Sequence, residues 1–242
     1  MAGTPVASES FAREYVGVNE LRVALEVGPK GRKVVAVATE WPGLARGAKN
    51  EEDAVATLTS YLPRYAAVAR AAGLDHAFSS DATLRVTERY PGVGSTDFWG
   101  ISFACSSADL SAVSNEEFER ELRVMRACWA VFDDVRASVS EAMRKGPRGG
   151  GRDRDHIVRH TLGAERDWAR KLEIRTPADA AITDPIELSA FRRDYCDALR
   201  RFHADGKTAR TWPLRFLIRH TAFHTMDHAW EMQDMDLTDR SV

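Results

Sequence analysis

The sequence predicts an α+β N-terminal domain, a small antiparallel sheet with one helix, followed by an all-α four-helix bundle. Three observations carry this. Short β-branched runs with alternating polarity occupy the first part of the chain. From Ser114 the apolar spacing changes to three and four residues, and four such amphipathic stretches follow, joined by modest loops. The predicted boundaries are 15–108 for the first unit and 110–242 for the second.

Within the first unit, Leu21-Arg-Val-Ala-Leu-Glu-Val27 alternates, Gly28-Pro-Lys-Gly31 turns, and Lys33-Val-Val-Ala-Val-Ala-Thr39 resumes, which reads as a hairpin. A short segment, Leu44 to Ala48, follows the Pro42-Gly43 turn. Asn50 then stands as a helix cap before Glu51, Glu52 and Asp53, whose carboxylates suit the positive end of the helix dipole. Ala54, Val55, Leu58, Leu62, Tyr65 and Ala69 share one face of that helix. Pro63 lacks a backbone donor and is expected to kink or divide it. Thr83 to Arg89 alternates again as a strand, and Phe98 to Cys105 reads as an extra one.

In the second unit, Ser114-Asn-Glu-Glu117 forms a capping box, and Phe118, Leu122, Met125, Trp129, Phe132 and Val135 make an apolar stripe. The glycine-rich run Lys145 to Arg152 breaks the helix. It has no Gly-Lys-Ser/Thr ending and no preceding strand, so it reads as a solvated linker and not a phosphate loop. Asp153 or Asp155 starts the second helix, through Ile157, Leu162, Trp168 and Leu172. Asp184-Pro185-Ile186-Glu187 opens the third with a cap, a first-turn proline and a carboxylate. Gly206 ends it, and Pro213 opens the fourth, which runs to about Met235.

Composition narrows the function classes. Charged residues are 29% and apolar residues 44% of 242, typical of a folded globular chain. With 34 basic and 36 acidic side chains the net charge is −2, so neither nucleic acid nor a membrane is expected as a partner, and any such binding needs a local patch. Without a membrane-length apolar run or a secretory signal, the expected location is cytoplasmic. Cys105, Cys128 and Cys196 form no C-x-x-C pair and read as reduced, packed thiols.

The histidines carry the chemistry. Five of the seven, His156, His160, His220, His224 and His228, fall on the second and fourth predicted helices. Residues four apart lie about 40° round and one turn higher, so His224 and His228 can share one metal ion. His160 projects from the second helix in register with Ile157, Ala164 and Trp168, and is the candidate third ligand. His220 is expected to flank the site or face solvent, His156 to lie in a frayed first turn, and His76 and His203 to be loop or surface residues. Glu165 is a candidate fourth ligand or base, against the simpler reading of a solvated carboxylate paired with Arg166 or Arg170. Glu231 is placed to accept the second N–H of an imidazole, and Trp168, Phe216, Phe223 and Trp230 are candidates for cavity walls or for core.

The stretches His160-Thr-Leu-Gly-Ala-Glu-Arg-Asp-Trp-Ala-Arg-Lys-Leu172 and Arg219-His-Thr-Ala-Phe-His-Thr-Met-Asp-His-Ala-Trp-Glu231 resemble the DinB-like bundles, which include the mycothiol-dependent maleylpyruvate isomerases. The likeness spans about residues 110–236. It implies a divalent metal held by His160, His224 and His228. The isomerase branch carries glutamate where this chain has His224, which favours the all-histidine branch, whose members are proposed thiol transferases or hydrolases. Lys33 to Glu40, Pro42-Gly-Leu44, Gly47 and Glu51-Glu52-Asp53-Ala54 resemble the HicB-like antitoxin unit, a likeness that implies a fold and not the antitoxin function.

The working expectation is a metal-dependent enzyme, a thiol transferase, isomerase or hydrolase acting on a small molecule. Zinc is favoured, with nickel, iron or manganese open to an imidazole site, and a low-molecular-weight thiol is a candidate co-ligand. A homodimer is compatible. The competing expectations are a non-catalytic, metal-stabilised interaction module and a toxin-antitoxin-related protein.

Overall fold

The computed structural model describes residues 19–146 and 151–238. Strands β1 (Glu20–Val27), β2 (Val34–Ala38) and β3 (Ala45–Ala48) lead into helix α1 (Glu51–Ala71), after which β4 (Thr83–Pro91) completes one sheet in the order β3-β2-β1-β4. β1 pairs with β2, and β2 with β3, antiparallel, whereas β4 joins the free side of β1 in parallel. The sheet is therefore mixed, where an antiparallel one was expected. Two hairpin turns cannot place a parallel neighbour; α1 supplies the long crossover that returns the chain to the starting end of β1.

All five residues of β2 are buried because both faces of the sheet are covered. Val34, Ala36 and Ala38 share a core with Leu58 and Leu62 of α1, while Val35 and Val37 pack with Ala45 and Phe223. This explains a near-continuous apolar run in place of strict alternation. The side chain of Asn50 caps α1 by accepting from the backbone N–H of Asp53. Pro63 does not divide this helix: it lies on the exposed side, while Leu58, Leu62 and Tyr65 are fully buried and fix the helix axis.

The segment expected to hold an extra strand, Phe98 to Cys105, lies between two short helices instead, α2 (Gly94–Trp99), which takes its first two residues, and α3 (Ser107–Leu110). Residues 100–106 are irregular because their backbone groups are used elsewhere. The N–H groups of Phe103 and Ala104 donate to the buried Glu26 carboxylate at 3.1 and 3.2 Å, and the Ala104 carbonyl accepts from Arg219 at 3.0 Å. Four long helices follow, α4 (Asn115–Ser138), α5 (Arg154–Ala169), α6 (Pro185–Ala204) and α7 (Leu214–Met235). Ser114, Asp153 and Asp184 cap the first three. Helix α7 is buried along most of its length, since α4, α5 and α6 pack on it and Phe223 faces the sheet. Buried side chains of the sheet, α1 and the four helices form one continuous apolar cluster. No helix among the described residues is long and apolar enough to cross a membrane.

The Pro42-Gly43 turn is a junction between these layers. The Pro42 carbonyl accepts from Tyr65 Oη at 2.6 Å and from the Cys128 thiol at 3.6 Å. Gly43 has φ +95°, and a Cβ there would lie 2.9 Å from Cys128 Sγ and 3.2 Å from Met226 Cγ. Gly43→Ala is expected to destabilise the protein by about 2–4 kcal/mol, from backbone strain plus overpacking, measured by urea unfolding. Wild-type stability in that variant would show that the turn adjusts freely.

Candidate metal centre

Two helices bring the three predicted histidines together. The Asp153 carboxylate accepts the backbone N–H of His156 at 2.6 Å, which fixes the start of α5 and sets His160 in its second turn. His224 and His228 lie one turn apart on α7. The ligand nitrogens of His160, His224 and His228 all lie within 4.8 Å of one another. His228 is 7% exposed, His224 is half-buried and His160 is exposed, so the group is anchored at one end and open at the other.

His228 Nδ1 lies 2.6 Å from Glu231 Oε2, and Glu231 accepts two further hydrogen bonds at 2.8 Å from the guanidinium of Arg152. A carboxylate can only accept, so Nδ1 of His228 carries its proton, and in the neutral ring Nε2 is a bare lone pair. That Nε2 faces His224 Nε2 at 3.2 Å. Two nitrogens bound to one tetrahedral zinc at about 2.0–2.1 Å would stand roughly 3.3 Å apart. Burial, followed by the neighbouring His228, holds the His224 imidazolium well below its usual range, and the same two causes lower His160. Both are therefore neutral at pH 7, the form that ligates metal. Burial raises the Glu231 carboxyl, but hydrogen bonds from His228 and Arg152 outweigh it and bring the group to about 2.

Trp168 stands edge-on to His224 at 5.0 Å and also contacts His220 at 4.5 Å, forming an aromatic wall beside the cluster. Trp212 and Phe103 continue this wall around His220. Sequence periodicity marks neither of them, because both lie outside helices. The other three aromatic candidates are core: Phe216 and Phe223 are buried, and Trp230 packs on Tyr61 and under Arg46.

Glu165 is not among the clustered donors. It is 1% exposed and both its oxygens engage Arg192, at 3.1 and 3.3 Å, while Arg192 also reaches Asp133. Five residues along a helix rotate a side chain about 140° from His160, which turns Glu165 into the interhelical core. It is also not a solvated partner of Arg166 or Arg170, because Arg166 pairs with Asp179 and Arg170 with Asp167. His220 does not face solvent. It is 2% exposed, with Nδ1 3.1 Å from the Ser102 carbonyl, and burial with the adjacent Arg219 lowers its pKa to about 3. His156 sits in a capped first turn, His76 is exposed, and His203 stacks on Phe118 with Nε2 3.0 Å from Asn115 Oδ1. Arg152, which holds Glu231, falls in the run read as a linker, and no local pattern marks its role.

A separate cleft of about 320 Å³ lies against Arg22, Glu40, Arg85, Glu88 and Arg215. Its arginines are already engaged, Arg22 with Glu40, Arg85 with Glu20 and Arg215 with Glu121.

No family model, curated protein or solved structure matches the chain.

What the centre can hold is thus decided by its donors. Three imidazoles, one oriented by a carboxylate, can hold a divalent metal ion. Glu231→Gln is expected to weaken metal binding about 10–100-fold by loosening the His228 ring, measured by competition with a chromophoric chelator. Unchanged affinity would show that Glu231 does not support the ligand.

Proposed function

We propose that the protein is a metal-dependent enzyme acting on a small molecule as a thiol transferase, isomerase or hydrolase, with the metal held by His160, His224 and His228. The observation that carries this is the convergence of three imidazole nitrogens within 4.8 Å, exposed on the His160 side. Zinc is the favoured ion and nickel, iron and manganese the alternatives, since imidazole ligates them all. Three protein ligands with further room is the catalytic pattern, whereas structural zinc is closed by four. A divalent ion supplies Lewis acidity, which brings proton loss from water or a thiol toward neutral pH.

The chain's own residues supply orientation and access. Glu231 fixes the ring and tautomer of His228, and Arg152 holds Glu231. Trp168 packs edge-to-face with His224 and lines that side of the cluster with an aromatic ring. The exposed side at His160 leaves an approach for a small substrate or a low-molecular-weight thiol. A small thiol added to the cobalt-substituted protein is expected to produce a sulfur-to-metal charge-transfer band. A spectrum indifferent to thiols, azide and chelating acids alike would mean closed coordination and would overturn the catalytic reading.

A further inference from the structure

Among the described residues, two large apolar side chains are exposed next to each other. Phe98 and Trp99, at the end of α2, are 69% and 66% exposed and meet edge to face at 4.4 Å. Val93, just before α2, is 39% exposed, and Leu110, Ile186 and Leu237 are exposed at separate places in the chain, as scattered surface residues commonly are. The aromatic pair is fastened to the turn between β1 and β2. Asp97 accepts the backbone N–H of Lys30 at 2.6 Å and of Arg32 at 2.8 Å, and Lys33 Nζ donates to the Phe98 carbonyl at 2.9 Å. A Cβ on Gly28 would fall 2.1 Å from Asp97 Oδ1, so glycine admits this close approach.

The consequence is a rigid tip with two exposed rings beside three cations. Asp97 is the one carboxylate in this contact set, and its hydrogen bonds go to backbone N–H groups, leaving Lys30 and Arg32 exposed. In a chain whose net charge is −2, this is a local basic excess.

We propose that this tip docks on the surface of an anionic lipid bilayer, with Phe98 and Trp99 at headgroup depth and Lys30 and Arg32 against the anionic headgroups. Charge complementarity selects this occupant. Aromatic rings favour the membrane–water interface, and basic side chains are drawn to an anionic leaflet. A second copy related by a two-fold axis would set the same cations against each other. Single-stranded nucleic acid needs rings laid as stacking platforms, whereas these two rings cross at 81°.

The full chain should sediment with phosphatidylcholine vesicles containing phosphatidylserine and stay in solution with phosphatidylcholine alone. Tryptophan emission should shift to the blue and be quenched by brominated lipid in the wild type and not in F98A/W99A, which assigns the change to Trp99: Trp41, Trp129 and Trp230 are no more than 4% exposed, and the half-buried Trp168 and Trp212 remain in that variant. The K30A/R32A double variant should bind about thirtyfold more weakly, and F98A/W99A should lose binding, with circular dichroism showing both folded. The proposal is overturned by no association with either vesicle, by equal association with both, or by binding that neither double variant reduces. Protection of Trp99 by self-association, or binding to oligothymidine in place of vesicles, would overturn it as well.

Discussion

Alanine at His224 or His228 is expected to abolish stoichiometric metal binding, while alanine at His76 or His203 leaves it intact. His224 and His228 face each other through Nε2 atoms 3.2 Å apart, and each provides one of the three donors clustered among the described residues. Removing a residue that merely supports a ligand costs about 10–100-fold in affinity, and loss of a ligand from a set of three exceeds this. His76 is exposed and His203 stacks on Phe118, away from the cluster. Both imidazoles are replaced without stranding a cation, so the variants should fold. Elemental analysis of protein purified without a histidine tag provides the readout. Full occupancy in either of the first two variants would break the ligand assignment.

Arg219→Met is expected to destabilise the protein by about 3–5 kcal/mol, lowering the melting temperature by on the order of 10 °C. Arg219 is 4% exposed and makes two hydrogen bonds to Asp109, at 2.9 and 2.8 Å, with others to Ser102 and the Ala104 carbonyl. Its removal leaves Asp109, itself 5% exposed, as a buried carboxylate without its cation. The pair also ties the irregular 100–106 segment to α7, so the loss spreads to the wall around His220. A second change, Asp109→Asn in the Arg219→Met background, should restore part of the loss, because the uncompensated charge is gone. Thermal denaturation of the two variants tests this, and wild-type stability in Arg219→Met would show the pair to be dispensable.

The same pair has a signature in pH. Burial pushes the Asp109 carboxyl up, but the Arg219 guanidinium and the hydrogen bonds from Ser106 prevail and hold it below its ordinary range. A carboxyl with a lowered folded value binds fewer protons folded than unfolded. Its contribution is therefore present above the unfolded value of about 3.9 and is lost as pH falls through the folded one. In Arg219→Met, with the carboxylate buried and unpaired, that slope should reverse.

The sequence by itself determined the elements and much of the centre. Asn50, Ser114 and Asp184 cap the helices that follow them, since a cap is a contact across three residues, and of the two candidates before α5 it is Asp153 that caps. The i, i+4 relation of His224 and His228 is likewise local, fixed by the pitch of one helix, and the apolar register of α5 placed His160 toward α7. Only the tertiary structure decided what these elements meet. Alternation in Thr83 to Arg89 shows a strand but not its direction, which depended on the crossover through α1. Phe98 to Cys105 has strand-forming residues, yet Glu26 and Arg219 claim its backbone from 77 or more residues away in the sequence. Glu165 finds Arg192 on α6, and Glu231 finds Arg152, 79 residues earlier. His220 is buried by Phe103, Trp168 and Trp212, from three separate parts of the chain. Periodicity reports which side of one element avoids water, whereas the partner of a buried charge or ring is chosen when distant elements pack and desolvate it together.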